Sequence, residues 1–421
     1  RTLAGQTLPR PFGISLCNKT NLPRMLPYPV RLILLQKNYY AISWVLTVLQ
    51  LGRLILGKKS AYKTDTITAP FKGIIPMNSA EVAIVMRRMK VDKIGSPDSF
   101  TFPWISTSGP NGLSILTSIY DLMFFPKDLL QCCYTLGGPE FQSKVSSLLA
   151  FLECTGKVLH GILGIKKEPK TQFLRRLSIK EDKDNKSRPF AIVDYISQSA
   201  LTPLHDQLYD RLSKIEQDCT RDQNKGFKDI LYSPGPYYSF DLSSATDRFP
   251  IAIQEMVLTW LTSPEYAKAW VTVMVQEPFV TPKGDMVKFE TGQPLGAKSS
   301  WALFTLSHHF IVWYCAMLLN IDSPKYRILG DDIVIMDKEL AHKYQEVMSQ
   351  LDVGISPVKS HKSWTLFEFA KRHGLNSVEI SPFPITAILL QPSSYVNIVG
   401  ALATTAVERG NYPLHVVSSS P

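Results

Sequence analysis

The triplet Gly330-Asp331-Asp332 lies between two apolar runs, residues 326–329 and 333–336. That pattern reads as strand, tight turn, strand, with adjacent carboxylates at the turn. Neighbouring carboxylates repel unless a cation offsets them. Mg²⁺ suits the task, because it binds a few carboxylates together with substrate phosphates. Taken alone, the triplet reads equally well as a surface hairpin. Upstream, residues 237–240 read as a strand with Asp241 at its end, and a Ser/Thr-rich turn carries Asp247. If the two strands are neighbours, Asp241 and Asp331 can share two metal ions. Read alone, Asp241 would be a helix cap.

Two further segments add to the set. Gly292-Gln293-Pro294-Leu295-Gly296 leads into Ser299-Ser300 and a long apolar stretch. A glycine loop before a helix allows a backbone to approach a nucleic acid closely, with Ser300 on the first turn. Residues 299–319 contain no Lys, Arg, Asp or Glu and are long enough to span a membrane. His308-His309, several hydroxyls and the polar loop ahead favour a buried enzyme helix. The other segment is basic, with ten Lys or Arg between Lys157 and Arg188. A charge run is ordinarily a solvated loop. Here it ends against an apolar strand, 189–193, and Lys186 and Arg188 alternate, so on a strand they share a side. Such a pair can hold a triphosphate.

The order is basic strand, Asp-x5-Asp, Gly-x3-Ser before a helix, then Gly-Asp-Asp. In that order the chain resembles the viral RNA-dependent RNA polymerases, and most of all those of the mitoviruses. The likeness runs from about residue 155 to 390. It is carried by residues 190–198, 203–206, 218–223, 239–248, 292–296 and 299–302, by His308-His309, and by 369–372 with 379–384. The resemblance implies an α+β fold, a right hand of fingers, palm and partial thumb, with an antiparallel palm sheet flanked by helices. It implies that Asp241 and Asp331 bind metal, with Asp332 as a supporting carboxylate. It implies that Asp247 and Ser300 sense the ribose hydroxyl. Lys180, Lys186 and Arg188 would bind the triphosphate, and Lys359 would protonate the leaving pyrophosphate. Gly296, Lys371 and Arg372 would meet template or primer RNA. The cofactor implied is a pair of Mg²⁺ ions, which Mn²⁺ could replace. The partners implied are RNA template, RNA product and nucleoside triphosphates, with no stable membrane insertion. The location implied is the mitochondrion. One departure stands out: many positive-strand virus polymerases carry Asn four residues after the Ser300 position, where this chain has Phe304. Sugar selection would then lean on Asp247 and Ser300, with His308 or His309 as candidate helpers.

At 421 residues the chain can bury a large core and ordinarily makes two or three subdomains. Its net charge of +10 is concentrated at the start, where ten Lys or Arg and no Asp or Glu precede Asp65. A basic arm of this kind binds template phosphates or imitates a mitochondrial transit peptide. Pro9, Pro11, Pro23, Pro27 and Pro29 interrupt a long amphipathic helix, which favours RNA contact. The apolar run 40–56 reads as a core helix, and 338–351 as an amphipathic helix behind the palm sheet. Six cysteines without a Cys-x-x-Cys read as reduced structural thiols.

The expected domains are a basic extension and fingers over 1–150, and fingers with the triphosphate motif over 151–235. The palm follows over 236–368, with a fingers-like insertion near 250–290, and the start of a thumb over 369–421. Because the chain begins at Arg1 and ends soon after Lys371-Arg372, the expectation is a fragment or truncated copy. Two competing functions remain. A reverse transcriptase of the group II intron type shares the metal aspartates, but usually shows an aromatic-x-Asp-Asp hairpin where this chain has Leu329-Gly330. A decayed, host-integrated remnant would at most bind RNA.

Overall fold

The computed structural model describes residues 14–54, 61–97, 99–104, 107–162, 173–181 and 187–385, and beyond them positions 389, 394–396, 398–400, 403 and 405. The described chain opens with α1 (Tyr28–Leu35) and α2 (Tyr39–Gln50). The Asn38 side chain caps α2 by accepting from Ala41 N at 3.1 Å. A single turn, α3 (Asp65–Thr68), precedes α4 (Ser79–Arg88), which starts with a reciprocal capping box between Asn78 and Glu81. Next come α5 (Ser114–Met123) and α6 (Lys127–Ile162), which bends at Gly138-Pro139 where Gly138 has φ 81°.

β1 (Arg175–Glu181) and β2 (Ser187–Val193) form an antiparallel hairpin with Lys180 directly opposite Arg188. α7 (Tyr195–Leu212) follows, capped by Asp194 accepting from Ser197 N at 2.7 Å. The other Asp194 oxygen takes the guanidinium of Arg175 in a fully buried ion pair. Arg175 also donates to Ser197 Oγ at 3.0 Å and to the Val273 carbonyl at 3.1 Å. Buried charges persist only when paired and hydrogen-bonded. Arg175, one of the ten bases of the run, is therefore internal and unavailable to phosphate. Lys166, Lys167, Lys170, Lys183 and Lys186 lie outside the described residues.

After α8 (Gln223–Leu231) come β3 (Tyr237–Asp241), the short α9 (Ala245–Arg248), α10 (Ile251–Leu261) and α11 (Pro264–Val275). Two short strands, β4 (Phe279–Val280) and β5 (Met286–Val287), precede the long α12 (Ser300–Leu318). Then β6 (Tyr326–Leu329), β7 (Asp332–Ile335), α13 (Lys338–Gln350) and β8 (His361–Ser363) complete the central layer. β9 (Leu366–Phe369), β10 (Arg372–Leu375) and β11 (Val378–Glu379) follow. The strands form three sheets, ordered β2-β1-β4-β5, β6-β7-β3-β8 and β11-β10-β9. β4 joins the basic hairpin through a parallel contact between Arg176 and Val280. The segment 250–290 thus ties back to the sheet of β1 and β2.

Side chains alternate across the central sheet, and its two faces pack differently. Tyr238, Phe240, Ile333 and Ile335 enter the main core with α12 and α13. The Phe240 ring stacks on Tyr344 of α13. Tyr237 and Val334 point the other way, onto Phe367 and Phe369 of β9. Asp241 is opposite Asp332 in the register, so both carboxylates belong to this second face. α12 is buried along nearly its whole length, including His308 and His309. It is the one described helix long and apolar enough to cross a membrane, and most of it is inside the protein. The amphipathic helix expected over 338–351 is α13, with Leu340, Tyr344, Val347 and Met348 buried.

One expectation needs correction. In its described part the run 40–56 is not a core helix: α2 buries Ile42 and Val45 but leaves Tyr40 and Trp44 more than 60% exposed. Residues 366–379, which straddle the expected palm–thumb boundary at 368/369, form strands that pack against the carboxylate-bearing sheet. On their outer side Leu366, Leu375 and Ile380 meet Leu22, Leu34, Ile42 and Val45 of the N-terminal helices. Ser43 Oγ donates to the Ser381 carbonyl at 2.7 Å, and Thr47 Oγ1 accepts from Phe383 N at 2.8 Å. The beginning of the chain therefore covers its late strands. The remaining part of the expected 369–421 unit falls largely outside the described residues, as do Arg1, Arg10, Lys58 and Lys59 of the basic arm.

Candidate active site

The β6–β7 turn is built around Gly330. It sits at φ 61°, and a Cβ there would collide with the Trp301 ring. Glycine is required on both counts. Its carbonyl is gripped from behind by His308, with Nδ1 at 2.7 Å, while Nε2 meets the Tyr344 hydroxyl at 2.6 Å. A carbonyl only accepts, so Nδ1 carries the proton and Nε2 accepts from Tyr344. Burial drives the His308 pKa down to about 4, which keeps the ring neutral. His309 donates through Nε2 to Asp218 Oδ2 at 3.0 Å and meets Tyr326 OH at 2.8 Å. Both histidines are thus enclosed by protein, and neither is placed to assist sugar selection. Phe304 is buried edge-on against Phe249.

Asp241 and Asp331 end up close enough to sense each other. Burial first, then the Asp241 charge, pushes the Asp331 carboxyl above its usual range, while Lys359 and Arg188 oppose that shift. Lys359 Nζ lies 2.7 Å from Asp241 Oδ2, so an ammonium already rests on this carboxylate. The Asp241 backbone is pinned on both sides: its N–H donates to Ser360 Oγ at 3.1 Å, and its carbonyl accepts from Ser356 N at 2.8 Å. The same loop, 353–360, therefore fixes Asp241 and presents Lys359. Two mutually repelling oxygen donors with a cation resting on one of them fit a hard divalent ion that completes its shell with phosphate and water.

Asp332 lies opposite Asp241 in the register and feels the charges of both aspartates, but one of its oxygens is already taken. It is half-buried, its Oδ2 accepts from Ala370 N at 2.7 Å, and burial, followed by the neighbouring carboxylates, pushes its carboxyl up to about 8. Among the described residues no three His, Cys, Asp or Glu side chains are gathered for a metal. Through the Ala370 amide, Asp332 also ties β7 to the β9–β10 turn.

Asp247 lies six residues beyond Asp241, in the single turn of α9. Its Oδ2 accepts from Thr66 Oγ1 at 2.7 Å, and burial raises its carboxyl against that hydrogen bond. The glycine loop packs directly on it. A Cβ at Gly292 would strike the backbone of Thr246 and Asp247, and Gln293 N donates to the Thr246 carbonyl at 2.9 Å. Gln293 Nε2 then donates to the Ser300 carbonyl at 2.9 Å, joining the loop to the first turn of α12. The Ser300 hydroxyl is buried without a protein partner among the described residues. Gly296, at φ 115°, lies against the Ala191 carbonyl of β2. The close backbone approach that needs this glycine is made by the chain itself.

The basic residues divide. Lys180 and Arg188 are exposed cross-strand neighbours, and the Arg188 charge reaches Asp331. Lys371 is exposed at the β9–β10 turn with φ 62°. Arg372, expected to meet RNA, is instead enclosed. Its fork pairs both oxygens of Glu379 at 3.0 and 2.7 Å, donates to Asn224 Oδ1 at 3.0 Å, and stacks on Phe227. Thr66 and Tyr344 are site residues that sequence reasoning missed, and it did not foresee that His308 and Trp301 hold the Gly330 turn. Only the polar pair inside the uncharged 299–319 run signalled the histidines.

The sequence model of the family described as mitovirus RNA-dependent RNA polymerase matches residues 96–412. The RNA-directed RNA polymerase of Cryphonectria parasitica mitovirus 1 (strain American chestnut tree/New Jersey/NB631) is 29% identical over 389 residues, which are 86% of this chain and 47% of that protein. The chain thus spans about half the length of this viral relative. An uncharacterized mitochondrial protein of Arabidopsis thaliana is 38% identical over 159 residues, 36% of this chain and 78% of that protein. Among solved structures, the Sicinivirus 3Dpol RNA dependent RNA polymerase aligns at a TM-score of 0.45 and 15% identity, covering 75% of this chain and 73% of that one.

Proposed function

This chain belongs to the mitovirus RNA-dependent RNA polymerase family, and we propose that it extends RNA on an RNA template by nucleotidyl transfer at the Asp241–Asp331 pair. The observation that carries this reading is the convergence of Asp241, Asp331 and Lys359 at one end of the β3–β7 sheet. Residues 236–368 serve as palm, and the β1–β2 hairpin with the 250–290 segment serves as fingers. Asp241 and Asp331 would hold two divalent cations, Mg²⁺ by donor chemistry, together with substrate phosphate. When bound, these ions lower the charge barrier to attack by the primer hydroxyl and departure of pyrophosphate.

The protein groups do the rest. Arg188 and Lys180 grip the triphosphate on the fingers side, where a guanidinium fork suits phosphate. Lys186 extends this set by its place in the motif, although it lies outside the described residues. Lys359 leaves Asp241 when nucleotide arrives and donates a proton to the leaving pyrophosphate, a general-acid step. Asp247 and the unpaired Ser300 hydroxyl receive the ribose 2′-hydroxyl. Gly296 shapes the loop beside β2, and Lys371 offers a cation for RNA phosphate. Asp332 and Arg372 act through the hairpin they secure. Mitochondrial action is the reading that the mitochondrial relatives favour.

Asp241→Asn and Asp331→Asn each remove a charged ligand and should abolish nucleotide incorporation with RNA affinity within about twofold of wild type. Primer extension and filter binding on purified protein with Mg²⁺ test this. Near-normal extension by either variant overturns the assignment. Deoxynucleotide preference in the wild-type chain would favour a reverse transcriptase. RNA binding without extension in any condition would favour the decayed remnant.

A further inference from the structure

We propose that Thr66 is a positioning residue for sugar selection, holding one oxygen of Asp247 so that the other faces the nucleotide. The inference rests on Asp247 as a ribose sensor. Thr66 stands on α3, 181 residues before Asp247, and its hydroxyl donates to Asp247 Oδ2 at 2.7 Å. Among the described residues Oδ1 takes no protein donor. A carboxylate with one oxygen tied is fixed in rotation, so its free oxygen meets a 2′-hydroxyl without reordering at binding.

The segment carrying Thr66 is anchored independently of that hydrogen bond. The Ile67 carbonyl accepts from Glu290 N at 3.0 Å. The Ala69 carbonyl accepts from Arg248 Nη1 at 2.6 Å and from Thr291 Oγ1 at 2.9 Å. Ile74 N donates to the Gln350 carbonyl at 2.7 Å, where Gly73 leaves no room for a Cβ. Arg248, next to Asp247, also pairs with Asp352 at 2.6 Å. Residues 66–74 are thus a strap wedged between the glycine loop and the end of α13, and they deliver the Thr66 hydroxyl from a fixed base. Loss of that hydroxyl would free the Asp247 carboxylate while leaving the strap in place.

The test compares Thr66→Val, Thr66→Ser, Asp247→Ala and the Thr66→Val/Asp247→Ala double variant in the full chain. The readout is the ATP-to-dATP discrimination ratio in single-nucleotide extension of an RNA primer–template. The same ratio is read without turnover by calorimetric titration, with ATP and dATP, of the protein bound to a primer–template whose primer ends in a 3′-deoxynucleotide. Thr66→Val should lower discrimination roughly tenfold, the scale of one hydrogen bond to a charged group. Thr66→Ser should restore it, and the double variant should fall no further than Asp247→Ala. A wild-type ratio in Thr66→Val alongside an eroded ratio in Asp247→Ala overturns the role of Thr66 and leaves the Asp247 reading intact. An unchanged ratio in Asp247→Ala overturns both. Equal losses for ATP and dATP, or failure of Ser to restore the ratio, reduce Thr66 to a packing residue.

Discussion

The two adjacent aspartates of the turn have different surroundings, and that difference is testable. Asp241 is the leading charge acting on Asp331, whereas Asp332, which also feels that charge, has its Oδ2 on the Ala370 amide. An Asn at 332 still offers a carbonyl oxygen to that amide. Asp332→Asn should therefore keep a measurable fraction of extension activity where Asp331→Asn keeps none, as read by primer extension at fixed Mg²⁺. Equal, complete losses would return Asp332 to the metal ligands. Arg188 is exposed and sends its charge to Asp331. Arg188→Ala should raise the nucleotide KM by roughly ten- to a hundredfold, the scale of a lost charge-assisted hydrogen bond. Its RNA affinity should change little. Steady-state kinetics on a fixed template decide, and an unchanged KM would make Arg188 an ordinary surface charge.

At the scale of elements, the turn is only as well placed as the helix behind it. α12 supplies Trp301, which fills the space beside Gly330, and His308, which holds the Gly330 carbonyl. His308→Phe keeps the ring but leaves that buried carbonyl without its donor, at a cost of about 1–3 kcal/mol. The expected result is a lower kcat with nucleotide KM within about threefold. Tyr344→Phe should lie between wild type and His308→Phe, since only the far end of the chain of hydrogen bonds is lost. A wild-type kcat in His308→Phe would remove the helix from the positioning of the turn. The β9–β10 hairpin depends in turn on Arg372. Arg372→Ala removes the guanidinium fork from the Glu379 carboxylate, which is only 10% exposed, and losing hydrogen bonds to a charged group costs about 1.5–3 kcal/mol. A clear fall in melting temperature should appear without RNA present. If stability holds and only RNA affinity drops, the guanidinium is an RNA contact after all.

For the whole molecule, the chain closes on itself at both ends of the site. The strap 66–74 reaches Asp247 from the N-terminal side, and α1 and α2 cover the outer side of the β9–β11 sheet. Truncating Ile42 or Val45 to Ala should therefore destabilise late strands more than 300 residues away, by about 1–4 kcal/mol each. Hydrogen exchange at 366–380 measures this directly. Exchange rates unchanged there, with loss of protection confined to α2, would refute the coupling.

Local chemistry and periodicity were enough to reveal the strand–turn–strand around Gly330, the strand ending at Asp241, the uncharged buried helix and the α13 stripe. Each is written in contiguous residues through alternation, helical spacing or a turn-specific glycine. The order of the motifs carried the family. What contiguous residues do not encode is which partner fills a given polar group. Arg175 and Arg372 look like any base in a charged run, and only packing shows one closed on Asp194 and the other on Glu379. Asp331 and Asp332 are neighbours with equal chemistry in the sequence, and the register of β3 with β7 and the Ala370 amide tell them apart. His308, Thr66 and the exposed face of α2 follow the same rule. Their roles are set by contacts between elements distant in the chain, because burial and hydrogen-bond satisfaction are properties of the packed assembly rather than of a local run of residues.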